Sequence, residues 1–304
     1  MTAWADRVRY GRAVLTRAGA VAVVRLRNAA GGLPERQPLE SWNRLFDRQL
    51  ARRLLREWRQ LDGFDIAMWS AMNDSRLHGQ IVFEYGTLLN AIDNWRGLRI
   101  LDVGTGRSTL PQWMGAQGAN VVSFELPAPF EPKAAGLYGR VVSYAHRSSA
   151  VEEVHGSMQA LPLADDTFDL VTSFSVVEHL DTDPTTHAFV PYVEQRRRLG
   201  EVLCEMVRVT KPGGLVYLTS ECCDYDRATS DEWRGAAYCG DGPEISAAWP
   251  VNDVRGLFYE YVRTLGCAPR GPVLFDPDLV SRDERYQTFR GPFFSGFSLL
   301  AEKQ

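Results

Sequence analysis

The stretch Leu98–Leu110, LRILDVGTGRSTL, reads as a buried strand, a glycine turn and the start of a helix. Leu98, Ile100, Leu101 and Val103 form an apolar run with one early charge, Arg99, as suits a strand covered on both faces of a parallel sheet. Gly104 and Gly106 let the backbone turn sharply and approach a ligand without Cβ clashes. Thr105 sits between them. Ser108 or Thr109 caps the following helix, Pro111 is tolerated in its first turn, and Gly118 is placed to end it. The next strand is Asn120–Phe124, and Glu125 follows at its carboxyl end. An acidic side chain there accepts hydrogen bonds from both hydroxyls of a ribose.

This is the nucleotide-cradling corner of a Rossmann-type sheet, and its details disfavour a dinucleotide. The position where GxGxxG places its last glycine holds Thr109, and a dinucleotide needs that glycine for close helix packing near its pyrophosphate. Asp102 lies in the strand end, where a carboxylate attracts the ammonium of an amino-acid moiety directly or through water.

Together with this corner, Leu161–Leu180 (LPLADDTFDLVTSFSVVEHL) and Val209–Leu218 (VTKPGGLVYL) make the chain resemble the class I S-adenosylmethionine-dependent methyltransferases, nearest to the small-molecule and quinone-biosynthesis subgroup. The resemblance runs over about two thirds of the chain, from Trp95 to Lys303. It implies a doubly wound, Rossmann-like, mostly parallel seven-stranded sheet with an antiparallel last strand. It also implies S-adenosylmethionine as cofactor, held by Asp102, Gly104, Thr105, Gly106, Glu125, Leu126, Ser157, Met158 and Ser175. Where the family has an aspartate that accepts from the adenine amino group, this chain has Ser157, a weaker acceptor. Some quinone-pathway relatives bind a divalent metal after the fourth strand. The first acid of that pattern is Ser175 here, so no metal is expected.

Three divisions follow: a basic arm and linker over 1–37, a helical extension over 38–93, and the catalytic domain over 94–304. From Met1 to Gln60 there are thirteen arginines against five acids, whereas the whole chain carries −4. The arm therefore suits an anionic surface: a membrane contacted peripherally, nucleic acid, or the protein's own acidic domain. No apolar run reaches the roughly twenty residues of a membrane span. Five cysteines without a CxxC pair argue against a disulfide framework or a zinc knuckle and suit a reducing cytoplasm. The sequence does not state the oligomeric order.

In the extension, Ser41 is expected to cap a helix running through Leu61, with a second helix over 78–92. Trp69, Met72, Arg76, His78 and Tyr85 are candidates for lidding the site. Pro127–Pro132 reads as a loop, 133–144 as a helix, and 228–250 as an aromatic loop. Pro272–Phe275 and Phe294–Glu302 read as a final antiparallel pair. Glu178 and His179 are the candidate catalytic groups, with His179 suited to serve as general base for a hydroxyl acceptor. Their bland reading is that they begin a helix and hold its loop.

Methyl transfer to a small-molecule acceptor is thus the expected function. The alternatives are a nucleic-acid or protein methyltransferase guided by the arginine arm, and a non-catalytic cofactor-binding scaffold. The absence of an NPPY-type motif after the fourth strand, where SVVE stands, weakens the case for amino-methylation of nucleic-acid bases.

Overall fold

The computed structural model describes residues 38–58, 78–106, 108, 110–126, 151–181, 183, 190–224, 248–287 and 294–304. The arginine arm, Trp69, Met72, Arg76, the 127–144 loop and helix, and most of the 228–250 loop lie outside them.

The described strands form one ten-stranded sheet. They are β1 (Asn43–Leu45), β2 (Arg99–Val103), β3 (Asn120–Glu125), β4 (Val151–His155), β5 (Phe168–Phe174), β6 (Thr210–Cys223), β7 (Trp249–Pro250), β8 (Cys267–Pro269), β9 (Val273–Leu274) and β10 (Phe294–Lys303). The order is β4-β3-β2-β5-β6-β10-β1-β9, with β7 beside β6 and β8 beside β10. The four pairs from β4 through β6 are parallel, and β10 runs antiparallel to β6. The expected doubly wound sheet with its antiparallel last strand is present, widened by short edge strands.

Alternating burial explains why these segments are nearly continuous apolar runs. Ile100, Val121, Leu170 and Tyr217 pack on one face with Trp95, Trp113 and helix α2 (His78–Ala91). Leu101, Val122, Val171 and Leu218 pack on the other, under α4 (Tyr192–Val209) and the helix over 251–264. A strand covered on both faces gains by being apolar at every position, roughly 25 cal/mol per Å² buried. Helix α3 (Leu110–Ala116) follows the glycine turn, and the Ser108 hydroxyl accepts from the Leu110 N–H.

Two expectations about the flanks are corrected. Residues 43–45 are a strand, not the start of a helix: β1 pairs antiparallel with β10 and parallel with β9. The Asn43 side chain decides this locally, donating to Arg270 O and accepting from the Leu300 N–H at 2.8 Å each. Ser41, expected to cap a helix, instead donates to Pro272 O and accepts from the Asn43 N–H. The helix α1 (Arg48–Trp58) begins later, and Asp47 is its cap, accepting from Gln49 N and Leu50 N. The final strands do not pair with each other either. β9 lies against β1, while β10 lies between β6 and β1 with β8 on its end. Residues 43–45 and 78–91, read as a separate helical extension, are built into the same sheet and core as the rest.

The chain's penultimate residue ties the sheet to a helix end. The Lys303 ammonium donates to Val207 O at 2.9 Å, Thr210 O at 2.8 Å and Asp166 Oδ1 at 2.7 Å. It therefore adds a donor to a carbonyl in the last turn of α4 and to the first carbonyl of β6. Lys303→Met keeps the aliphatic stem and removes these bonds. It should lower stability by about 1–2 kcal/mol in urea unfolding, and an unchanged midpoint would refute this role.

Candidate active site

The glycine loop after β2 lies at the carboxyl edge of the sheet, where open α/β folds bind ligands. Gly104 has φ +74° and Gly106 has φ +54°, both in the left-handed region. Their surroundings differ. A Cβ on Gly104 would stand 2.5 Å from Val176 Cγ1, so this turn is pressed against the segment after β5. Among the described residues a Cβ on Gly106 would meet only Gly104 O, at 3.9 Å.

Glu125 ends β3 beside that turn. Its Oε2 accepts from the Gly106 N–H at 2.7 Å and its Oε1 from the Leu126 N–H at 2.9 Å. Each oxygen keeps a lone pair for a further donor. Two backbone amides hold the carboxylate in place, so it is pre-positioned for a diol.

Asp102 is used differently from the sequence expectation. It is 1% exposed, and its Oδ1 accepts from Thr172 at 2.7 Å and its Oδ2 from Thr105 at 2.9 Å. Thr105 in turn accepts from Ser123 at 2.8 Å. The carboxylate therefore clamps the loop to β3 and β5 and does not line the cleft. Burial is the main reason its pKa is raised to about 6, the two threonine bonds opposing the rise.

Ser157 is exposed, and its hydroxyl accepts from the Gln159 N–H at 3.3 Å. Met158 is half-buried against the core. Ser175, half-buried with φ +48°, donates to Glu84 Oε1 at 2.6 Å. Glu178 and His179 lie on the 3-10 helix Val177–Asp181, and the structure separates them. Glu178 is buried and accepts from Ser220 at 2.7 Å, whereas His179 is exposed. Burial, reinforced by Glu221, raises Glu178 well above the ordinary carboxyl range. Tyr85 is buried and shares a 2.9 Å hydrogen bond with Ser108 at the loop helix.

Sequence reasoning missed Glu84, the one acid in the apolar helix HGQIVFEYGTLLNA. A lone carboxylate on a buried helical face was the available signal.

Residues 101–218, from β2 into β6, match the family model described as a methyltransferase domain. That stretch is similar to a methyltransferase domain. An uncharacterized methyltransferase of Mycobacterium ulcerans is 32% identical over 48% of this chain and 50% of its own length. A ubiquinone biosynthesis O-methyltransferase of Dinoroseobacter shibae is 34% identical over 36% of this chain and 41% of its own. The chain thus spans about half the length of the curated relatives it matches. An S-adenosylmethionine-dependent methyltransferase structure from Mesorhizobium loti superposes with a TM-score of 0.45 at 17% identity, covering 72% of this chain and 97% of that one.

The donor set fits S-adenosylmethionine: an anchored carboxylate at the strand end and a glycine cradle that no side chain among the described residues fills.

Proposed function

We propose that the protein transfers the methyl group of S-adenosylmethionine to a small-molecule acceptor by in-line displacement. The observation that carries this reading is the Glu125 carboxylate, fixed by the Gly106 and Leu126 amides beside the glycine turn. Such a carboxylate receives both ribose hydroxyls without reorganising. The similarity to a ubiquinone biosynthesis O-methyltransferase supports a small-molecule acceptor.

When bound, the sulfonium supplies an already activated methyl group, so the protein's task is placement and exclusion of water. In this reading Glu125 holds the ribose. Gly104, Thr105 and Gly106 give the backbone its close approach, with Asp102 keeping their geometry through Thr105 and Thr172. Leu126, Ser157 and Met158 flank the base. Ser175 borders the methyl-transfer side, and the exposed His179 stands at its rim, whereas Glu178 beside it in sequence is buried.

Calorimetry with S-adenosylmethionine, S-adenosylhomocysteine and NAD⁺ tests the reading. Binding of the first two and not the third is expected. Glu125→Ala removes one charge-assisted acceptor pair and should weaken both by about 10- to 100-fold, from the 1.5–3 kcal/mol of hydrogen bonds to a charged group. NAD⁺ binding alone, or undiminished affinity in the variant, would refute it.

A further inference from the structure

The carboxyl edge of β5 and β6 buries three glutamates from three separate elements. Glu84 comes from α2, Glu178 from the 3-10 helix and Glu221 from β6, each no more than 5% exposed. The Gln80 amide nitrogen bridges two of them, donating to Glu84 Oε1 at 2.9 Å and to Glu221 Oε1 at 3.3 Å. Glu84 is faced by Ser175 from the end of β5, by Glu221, Thr219 and Tyr217 from β6, by Glu178 from the 3-10 helix, and by Gln80 and Tyr85 from its own helix. Tyr217 donates its hydroxyl to the Glu84 carbonyl and not to the carboxylate. The charged groups acting most strongly on Glu84 and Glu178 are other glutamates. Among the described residues no group of three such side chains is arranged to hold a metal ion.

Buried carboxyls such as Glu84 and Glu178, whose strongest charged neighbours are other glutamates, take up protons or meet a ligand that brings positive charge or donors. A second observation points to a ligand. Gln80 is 4% exposed and its Oε1 is buried without a hydrogen-bond partner among the described residues, although its nitrogen lies between two carboxylates.

The cluster also abuts the cofactor loop. Ser175 precedes Val176, whose methyls lie within 2.7 Å of where a Gly104 Cβ would be. Tyr85, beside Glu84, bonds Ser108 at the start of α3. The half-buried Ser175 hydroxyl is thus the contact between the fully buried Glu84 and the methyl-transfer side of the loop.

We propose that Ser175 and Glu84 form a proton relay that takes the proton of the methyl-accepting group, an X–H donor such as a hydroxyl or an ammonium. The inference rests on the methyltransferase reading. The acceptor's proton passes to Ser175 Oγ as the Ser175 proton passes to a Glu84 carboxylate oxygen. The acceptor's electron pair bonds the methyl carbon, and the carbon–sulfur pair stays on sulfur. For a neutral hydroxyl acceptor, one sulfonium cation and one carboxylate anion become a neutral thioether and a neutral acid, so charge balances. For an ammonium acceptor the proton leaves first, and the product carries the positive charge. Glu84 acts through Ser175 and is a proton-holding, positioning residue.

The test needs no acceptor. Burial holds the Glu84 pKa up at about 7. A cation placed beside the relay should drive off roughly half a proton at pH 7, and a neutral analogue of the same shape should not. Calorimetry of the full chain in phosphate and in Tris, which differ in ionisation enthalpy, counts those protons. S-adenosylmethionine is expected to release them and S-adenosylhomocysteine is not. Glu84→Gln should abolish the difference while both ligands still bind. Ser175→Gly removes the hydroxyl at a backbone angle that glycine tolerates and keeps the relay testable should Glu84→Gln fail to fold. It should move the pH of greatest release upward, because the lost bond favoured the carboxylate. Equal release for both ligands, release that survives Glu84→Gln, or a Ser175→Gly profile identical to wild type would each overturn the relay. Absence of binding by either ligand to the wild type would instead overturn the methyltransferase reading on which it rests.

Discussion

Gly104→Ala should cost about 2–5 kcal/mol of stability, whereas Gly106→Ala, two residues on, should cost only about 1–2. Both glycines have positive φ, +74° and +54°, and an L side chain in that region is penalised by about 1–2 kcal/mol. Only at Gly104 does a collision add to this. The new methyl would lie 2.5 Å from Val176 Cγ1 and 2.7 Å from Cγ2, on a backbone already fixed by the Gly104 N–H to Phe124 O bond at 2.8 Å. Relieving such overpacking costs a further 1–3 kcal/mol or so. The order reverses for ligand affinity per unit of stability lost. A Gly106 methyl meets no side chain among the described residues and projects where the close approach to the cofactor is needed, so it should abolish S-adenosylmethionine binding in a protein that remains folded. Urea unfolding and calorimetry on both variants separate the two effects. A Gly104→Ala protein as stable as wild type would mean that the loop is not pressed on Val176.

The same corner shows what sequence reading reaches. Its strand, turn and helix are specified by residues within a dozen positions of one another, and the acid that completes it follows at fixed spacing. β5 and α4 were legible for the same reason: a near-continuous apolar run and a helical stripe of Leu199, Val202, Leu203 and Met206, all buried. Residues 43–45 were not. Trp42, Leu45 and Phe46 fit a helical stripe, and what makes Asn43–Leu45 a strand is pairing with residues more than two hundred positions away. Val273–Leu274 was placed beside the wrong strand for the same reason, since its partner is β1. The site divides likewise. Glu125 was readable because its two bonds are to Gly106 and Leu126, close in sequence. Asp102 was assigned to the cleft because nothing local says that Thr172 takes one of its oxygens. The cluster of Glu84, Glu178 and Glu221 exists only because the sheet order brings α2 to the carboxyl ends of β5 and β6.

That cluster should make the protein less stable as pH rises from about 5 to 8, the reverse of the acid sensitivity usual for proteins. Glu84 is raised from 4.5 to about 7 and Asp102 from 3.8 to about 6, burial being the main cause of each. A raised carboxyl binds its proton more tightly in the folded chain than in the unfolded one. Its contribution is therefore fully present below the unfolded pKa and is lost as pH climbs through the folded value. Each shift corresponds to about 3 kcal/mol at 1.36 kcal/mol per unit. Opposing carboxylates work the other way. Asp169 is lowered, its Lys211 and Arg99 bonds outweighing desolvation, and Glu205 is lowered by Arg208. Both are half-buried, and their lowering offsets only part of the rise of the two fully buried acids. Glu84→Gln isolates one of these. The amide can still accept from Ser175 and Gln80 but has no proton to lose, so the variant should match wild type near pH 5 and exceed it by up to about 3 kcal/mol at pH 8. Thermal unfolding across that range measures the difference. Parallel curves for the two proteins would show that Glu84 titrates at an ordinary value and that the edge of β5 and β6 is wetter than its burial indicates.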